Sequence, residues 1–367
     1  DLLRPFIFRF NPEVAHSLAI KALKFGYVPP IKINKSSLLE ISIFSQKLYS
    51  PVGIAAGFDK NAEVYNSLFN LGFGFVEVGT VTPEPQYGNP KPRVFRLEED
   101  QALINRLGFN NRGSEEISSR IEKNKPKGLL GINIGPNKNT LDRVNDYVEC
   151  FRKFHHLANY LTINISSPNT ENLRDFHGKE ELQELINAIN SEKNSLNSKI
   201  PIAVKLSPDL SQKQIEIVSE ILLENNIDVA VISNSTDKNR EKLININKLE
   251  KGGLSGKPIE IISNKIISRF YNLIGKKIKI IGVGGADSAE GVYEKILNGA
   301  TLVQLYTGMV YKGPQIADKI NKGLVKILEK DGIKNIRDVI GSKKSAWREL
   351  IEILYKLFNV KKMWTYW

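Results

Sequence analysis

Between residues 50 and 308 the chain alternates short, β-rich apolar runs with amphipathic helical stretches, and the runs number eight. They are "VGIAAG" (52–57), "GFVEVG" (74–79), "LLGINIG" (129–135), "YLTINIS" (160–166), "IPIAVKLS" (200–207), "VAVISNS" (229–235), "IKIIGVGG" (278–285) and "TLVQLYTG" (301–308). Strands that alternate with helices form a parallel sheet covered by those helices. Eight such units over roughly 250 residues are the count and size of a TIM (β/α)8 barrel, which is the fold class expected here. An open doubly wound sheet is the alternative. It calls for a dinucleotide-type glycine loop after the first strand, and "AAGFDKNAE" does not supply one.

In a TIM barrel the chemistry sits at the C-terminal ends of the strands. Those ends read Ala56-Gly57 with Lys60 just beyond, Thr80, Asn133, Asn164 with Ser167, Lys205, Ser233-Asn234-Ser235, Gly284-Gly285 and Tyr306-Thr307. Every end carries a glycine or a hydrogen-bonding side chain, whereas the opposite ends are apolar or solvated. Turn formation explains the glycines, and it also accounts for part of "NISSPNT" (164–170), where Pro168 stiffens a loop. It does not explain two lysines and three asparagines. A ring of ligand-binding groups does.

Glycines 284, 285 and 308 follow strands seven and eight, where TIM barrels bind phosphate through bare backbone N–H groups. "GGLSGKP" (252–258) adds a glycine-rich loop after strand six. "GVGGAD" is not a dinucleotide fingerprint, because position 287 is Asp. A phosphate anchor facing amides, hydroxyls and lysines suits a flat, polar, phosphorylated ring system, and FMN fits. Asn133, Asn164 and Thr80 can hydrogen-bond the heteroatom edge of an isoalloxazine, and Lys205 can offset the negative charge of its reduced form. The single Cys150 permits no internal disulfide and no cysteine-based metal site, and the four histidines show no zinc spacing, so no metal is expected.

These motifs resemble the dihydroorotate dehydrogenases. "AAGFDKNAE", "EVGTVTPEPQYGNPKPRVFRL", "INRLGFNN", "GINIGPNKNT", "INISSPNT", "IAVKLSPDLS", "GGLSGKP", "IIGVGG" and "LVQLYTGMVYKGP" occur in family order from about Arg4 to Gly341, and they look like the quinone-linked, membrane-associated class 2 branch. The resemblance implies an FMN barrel that oxidises dihydroorotate to orotate in pyrimidine synthesis. It assigns FMN to Ala56, Gly57, Phe58, Asp59, Lys60, Thr80, Asn133, Asn164, Lys205, Ser233, Gly256, Gly285, Tyr306 and Thr307. It assigns the substrate to Lys60, to the loop Asn105, Arg106, Leu107, Gly108 and Phe109, and to Asn164, Asn169, Asn234 and Ser235, with Ser167 as the general base. Where the family often reads "TNT" and "YS", this chain reads "SNS" (233–235) and Tyr306-Thr307. Both changes keep a hydroxyl.

The ends of the chain lie outside the barrel. In "LLRPFIFRF", Leu2, Leu3, Phe6, Ile7 and Phe10 share a helical face opposite Arg4 and Arg9. Asn11 then caps a second helix that opens on Pro12 and lines up Val14, Leu18, Ala22 and Phe25. Two apolar-faced helices with basic flanks read as an interfacial membrane hairpin, or else as helices that only pack on the barrel. The resemblance makes it the quinone entrance, with His16 toward the tunnel and Arg96 serving the quinone step. The expected division is therefore 1–40 hairpin, 41–341 catalytic barrel and 342–367 an amphipathic tail without a family counterpart. In that tail Trp347, Leu350, Ile351, Leu354 and Phe358 share a face, read first as packing against the barrel, with a second membrane contact or a dimer element as the alternatives.

The net charge of +12 suits nucleic acid, an anionic membrane surface or an anionic substrate, and equally a Lys-rich solvated surface. No apolar run reaches the roughly 18 residues of a membrane span. The chain opens on Asp1 rather than Met, which is compatible with a removed leader. Three rivals remain. The soluble class 1 dehydrogenases use fumarate or NAD and place a cysteine at the base position, here Ser167. Flavin barrels that reduce tRNA uridines need a cysteine acid, whereas Cys150 lies in the helical stretch "DYVECF". A non-enzymatic RNA scaffold has no use for eight furnished strand ends. The expectation is thus a monomeric peripheral membrane protein without a nucleic-acid partner, on the cytoplasmic face of a bacterial inner membrane or on the mitochondrial inner membrane.

Overall fold

The computed structural model describes residues 4–33 and 35–343 of the chain, so the tail from 344 on, with its apolar face, lies outside the described residues. Eight parallel strands close into a barrel: Val52–Ile54, Phe75–Val81, Leu129–Ile134, Tyr160–Asn164, Ile202–Leu206, Val229–Ile232, Lys279–Val283 and Leu302–Leu305. Each pairs with its chain neighbours, and the last pairs with the first (Val303 opposite Val52). The TIM barrel is therefore the observed fold. Thr80, Asn133, Asn164 and Lys205 sit on the last residues of their strands, whereas Ala56-Gly57, Ser167, Ser233-Asn234-Ser235, Gly284-Gly285 and Tyr306-Thr307 lie just beyond, all at the barrel mouth.

Alternation along the strands sorts side chains between the outer helix layer and the barrel interior. Phe75, Leu129, Tyr160, Val229, Ile281 and Leu302 fill the interior at its lower end. A hairpin, Ile41–Ile43 with Gln46–Leu48, plugs that end with Ile41, Ile43 and Leu48. Its turn residues Phe44 and Ser45 both have positive φ (51° and 59°), as a two-residue type I′ connection requires. Above this apolar layer, two residues further along four of the strands, the interior turns polar, with Glu77, Thr162, Lys205 and Gln304 all buried.

A three-stranded antiparallel sheet sits at the mouth, made from Val94–Leu97, Ala102–Asn105 and Gly253–Gly256. Sequence patterning did not anticipate it. It brings the loop after Asn105 and the loop after Gly256 to opposite sides of one opening.

The N-terminal pair of helices, Arg4–Ile7 and Pro12–Lys24, forms as expected, with Asn11 Oδ1 accepting from Glu13 N at 3.0 Å and Pro12 in the first turn. Ala15 and Leu23 are buried, whereas Phe6, Ile7, Phe10, Val14, Leu18, Phe25 and Tyr27 are exposed. No described helix is long and apolar enough to cross a membrane.

Candidate active site

The loop after the first strand is tied to the second through its backbone. Gly57 N donates to Gly79 O at 2.7 Å, and Gly79 N donates to Asp59 O at 3.1 Å. Gly79 has φ +102°, and a Cβ there would lie 2.4 Å from Asn133 O, so only glycine allows this approach. The Asp59 carboxylate is spent within the loop, accepting from Glu63 N (2.7 Å) and Val64 N (2.8 Å). Burial raises its pKa to about 6 despite those amides. Phe58 turns to the hairpin, edge-on to His16 at 5.2 Å.

One wall of the pocket is a hydrogen-bonded cluster on strands two to four. Thr80 Oγ1 donates to Asn133 Oδ1 at 2.6 Å, and Asn164 Nδ2 donates to the same oxygen at 3.0 Å and to Thr80 Oγ1 at 3.1 Å. Asn133 lies behind Thr80 and Asn164 rather than on the pocket surface. Ser166, absent from the sequence reading, donates through Oγ to Asn164 Oδ1 (2.7 Å) and accepts from Asn234 Nδ2 (2.8 Å). The mouth of strand four is thereby joined to that of strand six.

Ser167 borders the pocket, with Oγ accepting from Asn169 N at 3.2 Å in a local Ser turn. Asn169 Nδ2 donates to Asn105 Oδ1 at 3.3 Å, which closes the base loop onto the "NRLGF" loop. A second residue missed from sequence, Asn89, staples both: Nδ2 donates to Arg106 O (3.1 Å) and Asn169 O (3.2 Å). Leu107, Gly108, Phe109, Asn234, Ser235 and Ser233 complete this side. Arg106 turns outward, pairing with Glu250 at 2.7 Å over the Phe95 ring, so its contribution to the opening is its backbone.

On the far side Gly256, Gly284 and Gly285 line the pocket with φ of +100°, +121° and +78°. A Cβ on Gly285 would lie 2.5 Å from Glu260 Cβ, and one on Gly256 would lie 2.4 Å from Gln101 O. Tyr306, Thr307 and Gly308 flank them, with Thr307 Oγ1 2.9 Å from Ser255 Oγ. The cradle is bare backbone with hydroxyls, a surface suited to phosphate oxygens.

Two amines face this pocket, Lys205 buried and Lys60 half-buried. Burial lowers the pKa of Lys60 to about 8, with Glu13 pulling it up and Arg93 pushing it down. Burial likewise lowers Lys205, countered by the charge of Glu77. Neither ammonium has an ion-pair partner within 4.0 Å among the described residues, so both are available to an anionic ligand.

The two residues expected at the quinone path lie outside the pocket. His16 packs between Phe58 and Tyr306, where burial and then the charge of Lys60 lower its pKa to about 3. Arg96 donates to Phe8 O (2.8 Å) and Phe10 O (3.0 Å) with its guanidinium over the Phe8 ring. It holds the turn between the two N-terminal helices against the mouth sheet. Arg93 does the same for the second helix, through Glu13 at 2.6 Å.

A family model described as dihydroorotate dehydrogenase matches residues 38–328. A protein of Rhizobium rhizogenes named dihydroorotate dehydrogenase (quinone) is 42% identical over 353 residues, 95% of this chain and 98% of its own. One of Bartonella henselae with the same name is 44% identical over 348 residues, 94% and 96% of the two chains. Among solved structures, a DHODH from Eimeria tenella in complex with ferulenol superposes with a TM-score of 0.88 at 36% identity, covering 93% of this chain and 98% of its own.

Proposed function

The chain belongs to the dihydroorotate dehydrogenase family and oxidises dihydroorotate to orotate for pyrimidine biosynthesis with a quinone as acceptor, and we propose that it does so with FMN in the barrel mouth and Ser167 as base. The observation that carries the proposal is one pocket in which a glycine cradle and two amines, Lys60 and Lys205, without an ion pair among the described residues, meet the base loop. The residues fit FMN. Gly256, Gly285 and Thr307 would hold its phosphate, Thr80 and Asn164 its ring edge, and Lys205 the charge of its reduced form. Ala56, Gly57, Tyr306 and Ser233 border the same space, whereas Asn133 supports the ring edge from behind. Bound FMN supplies hydride acceptance from C6 of the substrate and return of both electrons to the quinone.

The chain's own residues do the rest. Asn105, Asn164, Asn169, Asn234 and Ser235 fix the ring acid by hydrogen bonds, and Lys60 meets its carboxylate. Ser167 Oγ takes the proton from C5. A serine is a weak base in water, so the pocket must pass its proton onward and hold the product as an anion, which Lys60 and the asparagines favour. Arg93, Arg96 and His16 seat the N-terminal helices beside the pocket. The apolar face of those helices, from Phe6 to Tyr27, supports a peripheral membrane contact where quinone enters. A monomer on the cytoplasmic face of a bacterial inner membrane is the setting we propose.

The test offers three acceptors in parallel to purified protein. Expected are a yellow chromophore that dihydroorotate bleaches anaerobically and that quinone restores, while fumarate and NAD do not. Protein that takes up no FMN, or that is re-oxidised by fumarate or NAD instead of quinone, overturns the proposal.

A further inference from the structure

Glu77 is fully buried in the polar layer of the barrel and does not touch the pocket. Its oxygens are unequally engaged. Tyr160 Oη (2.9 Å), Thr162 Oγ1 (3.1 Å) and Gln304 Nε2 (2.9 Å) all donate to Oε2, whereas Asn133 Nδ2 alone donates to Oε1 at 2.8 Å. A carboxylate accepts with both oxygens, so Asn133 must turn its NH2 toward Glu77 and its carbonyl toward the pocket wall. That carbonyl is the common acceptor for Thr80 Oγ1 and Asn164 Nδ2. From the other side, Ser166 N donates to Asn164 Oδ1 at 3.2 Å and Ser235 N donates to Asn234 Oδ1 at 2.8 Å. Backbone amides thus pin the far end of the chain of contacts in the same sense.

We infer that Glu77 is a positioning residue for the proposed reaction: it sets the orientation of the Asn133 carboxamide, and through it the donor and acceptor pattern that Thr80 and Asn164 present to the ligand ring. The inference rests on the FMN reading only for what occupies the pocket. The carboxamide orientation follows from this chain's residues alone.

Glu77→Gln tests it because the two carboxylate oxygens differ. The introduced carbonyl stays where three donors converge, so the introduced NH2 faces Asn133. Asn133 then has to reverse, and its NH2 meets that of Asn164, which Ser166 N holds in place. The collision falls at the Thr80–Asn164 wall. Adding Asn133→Asp removes it, since a carboxylate at 133 accepts from the introduced amide on one side and from Asn164 and Thr80 on the other. Thr162→Val removes one donor to the same carboxylate while leaving Asn133 alone, and serves as the packing control.

Two measurements are made on all four variants. Apoprotein thermal unfolding reads the collision without ligand, and FMN titration of apoprotein reads its effect on the pocket. Expected are FMN affinity roughly tenfold or more weaker in E77Q, within about threefold of wild type in T162V, and largely recovered in the E77Q/N133D pair. The pair is also to unfold at a higher temperature than either E77Q or N133D alone. If E77Q does not fold, the pair against N133D decides by the same criterion. A pair no more stable and no tighter for FMN than its single variants overturns the role of Glu77. Wild-type apoprotein that takes up no FMN overturns the cofactor reading instead, and the unfolding comparison still decides the orientation.

Discussion

Lys60 gives the most quantitative expectation, because its burial sets where it loses its charge. With a pKa of about 8 in the folded protein, the ammonium is roughly nine-tenths populated at pH 7 and one-tenth at pH 9, by the ordinary titration relation. If this charge holds the substrate carboxylate, orotate affinity falls about tenfold between those values, about 1.4 kcal/mol, and continues down tenfold per unit above pH 9. The sign for folding is opposite. An unfolded lysine titrates near 10.5, so folding below pH 8 places a charge in a half-buried site, and that cost fades as pH rises from 8 to 10.5. Stability should therefore rise over the window in which binding weakens. The assay is orotate titration of the FMN-loaded protein by flavin absorbance from pH 6 to 10, with Lys60→Arg beside it. Arginine does not titrate there, so the slope due to this group should vanish in the variant. An equal slope in K60R refutes the assignment of the carboxylate to Lys60, and a wild-type affinity flat from pH 7 to 9 refutes the lowered pKa of this amine.

Ser167→Ala is expected to bind orotate normally but to lose roughly 10²–10⁴-fold in stopped-flow flavin reduction, the contribution of a placed general base. Ser167→Cys should recover part of that rate as pH approaches the ordinary thiol pKa near 8.5, while quinone re-oxidation stays unchanged in both. Lys205→Ala is expected to retain FMN less well and to be reduced more slowly, and an unchanged rate in fully loaded protein would exclude its charge role. Gly285→Ala places a Cβ 2.5 Å from Glu260 Cβ at a φ of +78°, so equilibrium dialysis should show loss of FMN with the barrel still folded by circular dichroism. A chain starting near residue 30 should keep FMN and its reduction by dihydroorotate but lose most turnover with long-tailed quinones. Normal turnover would show that the helices do not form the quinone path.

The barrel was legible because parallel strands are buried on both faces and so read as unbroken apolar runs. Their polar tips were legible because nothing in an apolar strand accounts for Asn164 or Lys205 at its end. The mouth sheet was not, since each of its strands has four residues and "GLSG" pairs with "ALIN" from almost 150 residues earlier. Glu77 escaped for the same reason that the barrel was clear. On a strand covered from both sides, alternation does not say which layer a lone carboxylate enters, and only the closed barrel places Tyr160, Thr162 and Gln304 around it. Asn89 sits in "YGNPKP", whose turn chemistry hides its stapling of two loops. Asp59 and Arg106 show the converse. Their positions in the family motifs are right beside the pocket, yet local amides and Glu250 claim their side chains.

Glu13 belongs to the second N-terminal helix, pairs with Arg93 at 2.6 Å, and is also the strongest influence raising the pKa of Lys60. Burial works against its own ionisation, but Arg93, Lys91 and Lys60 outweigh burial and hold it below the usual carboxylate range. Removing the helices therefore does more than test a proposed route for the electron acceptor. It takes away the anion that raises the pKa of Lys60 beside Arg93, and it also changes the burial that lowers that pKa, so the alkaline limb of Lys60 does not stay where the helices set it. Kinetic comparisons at one pH between the chain with and without these helices would mix acceptor access with substrate affinity. Glu13→Gln separates the two, because it discharges the helix without removing it.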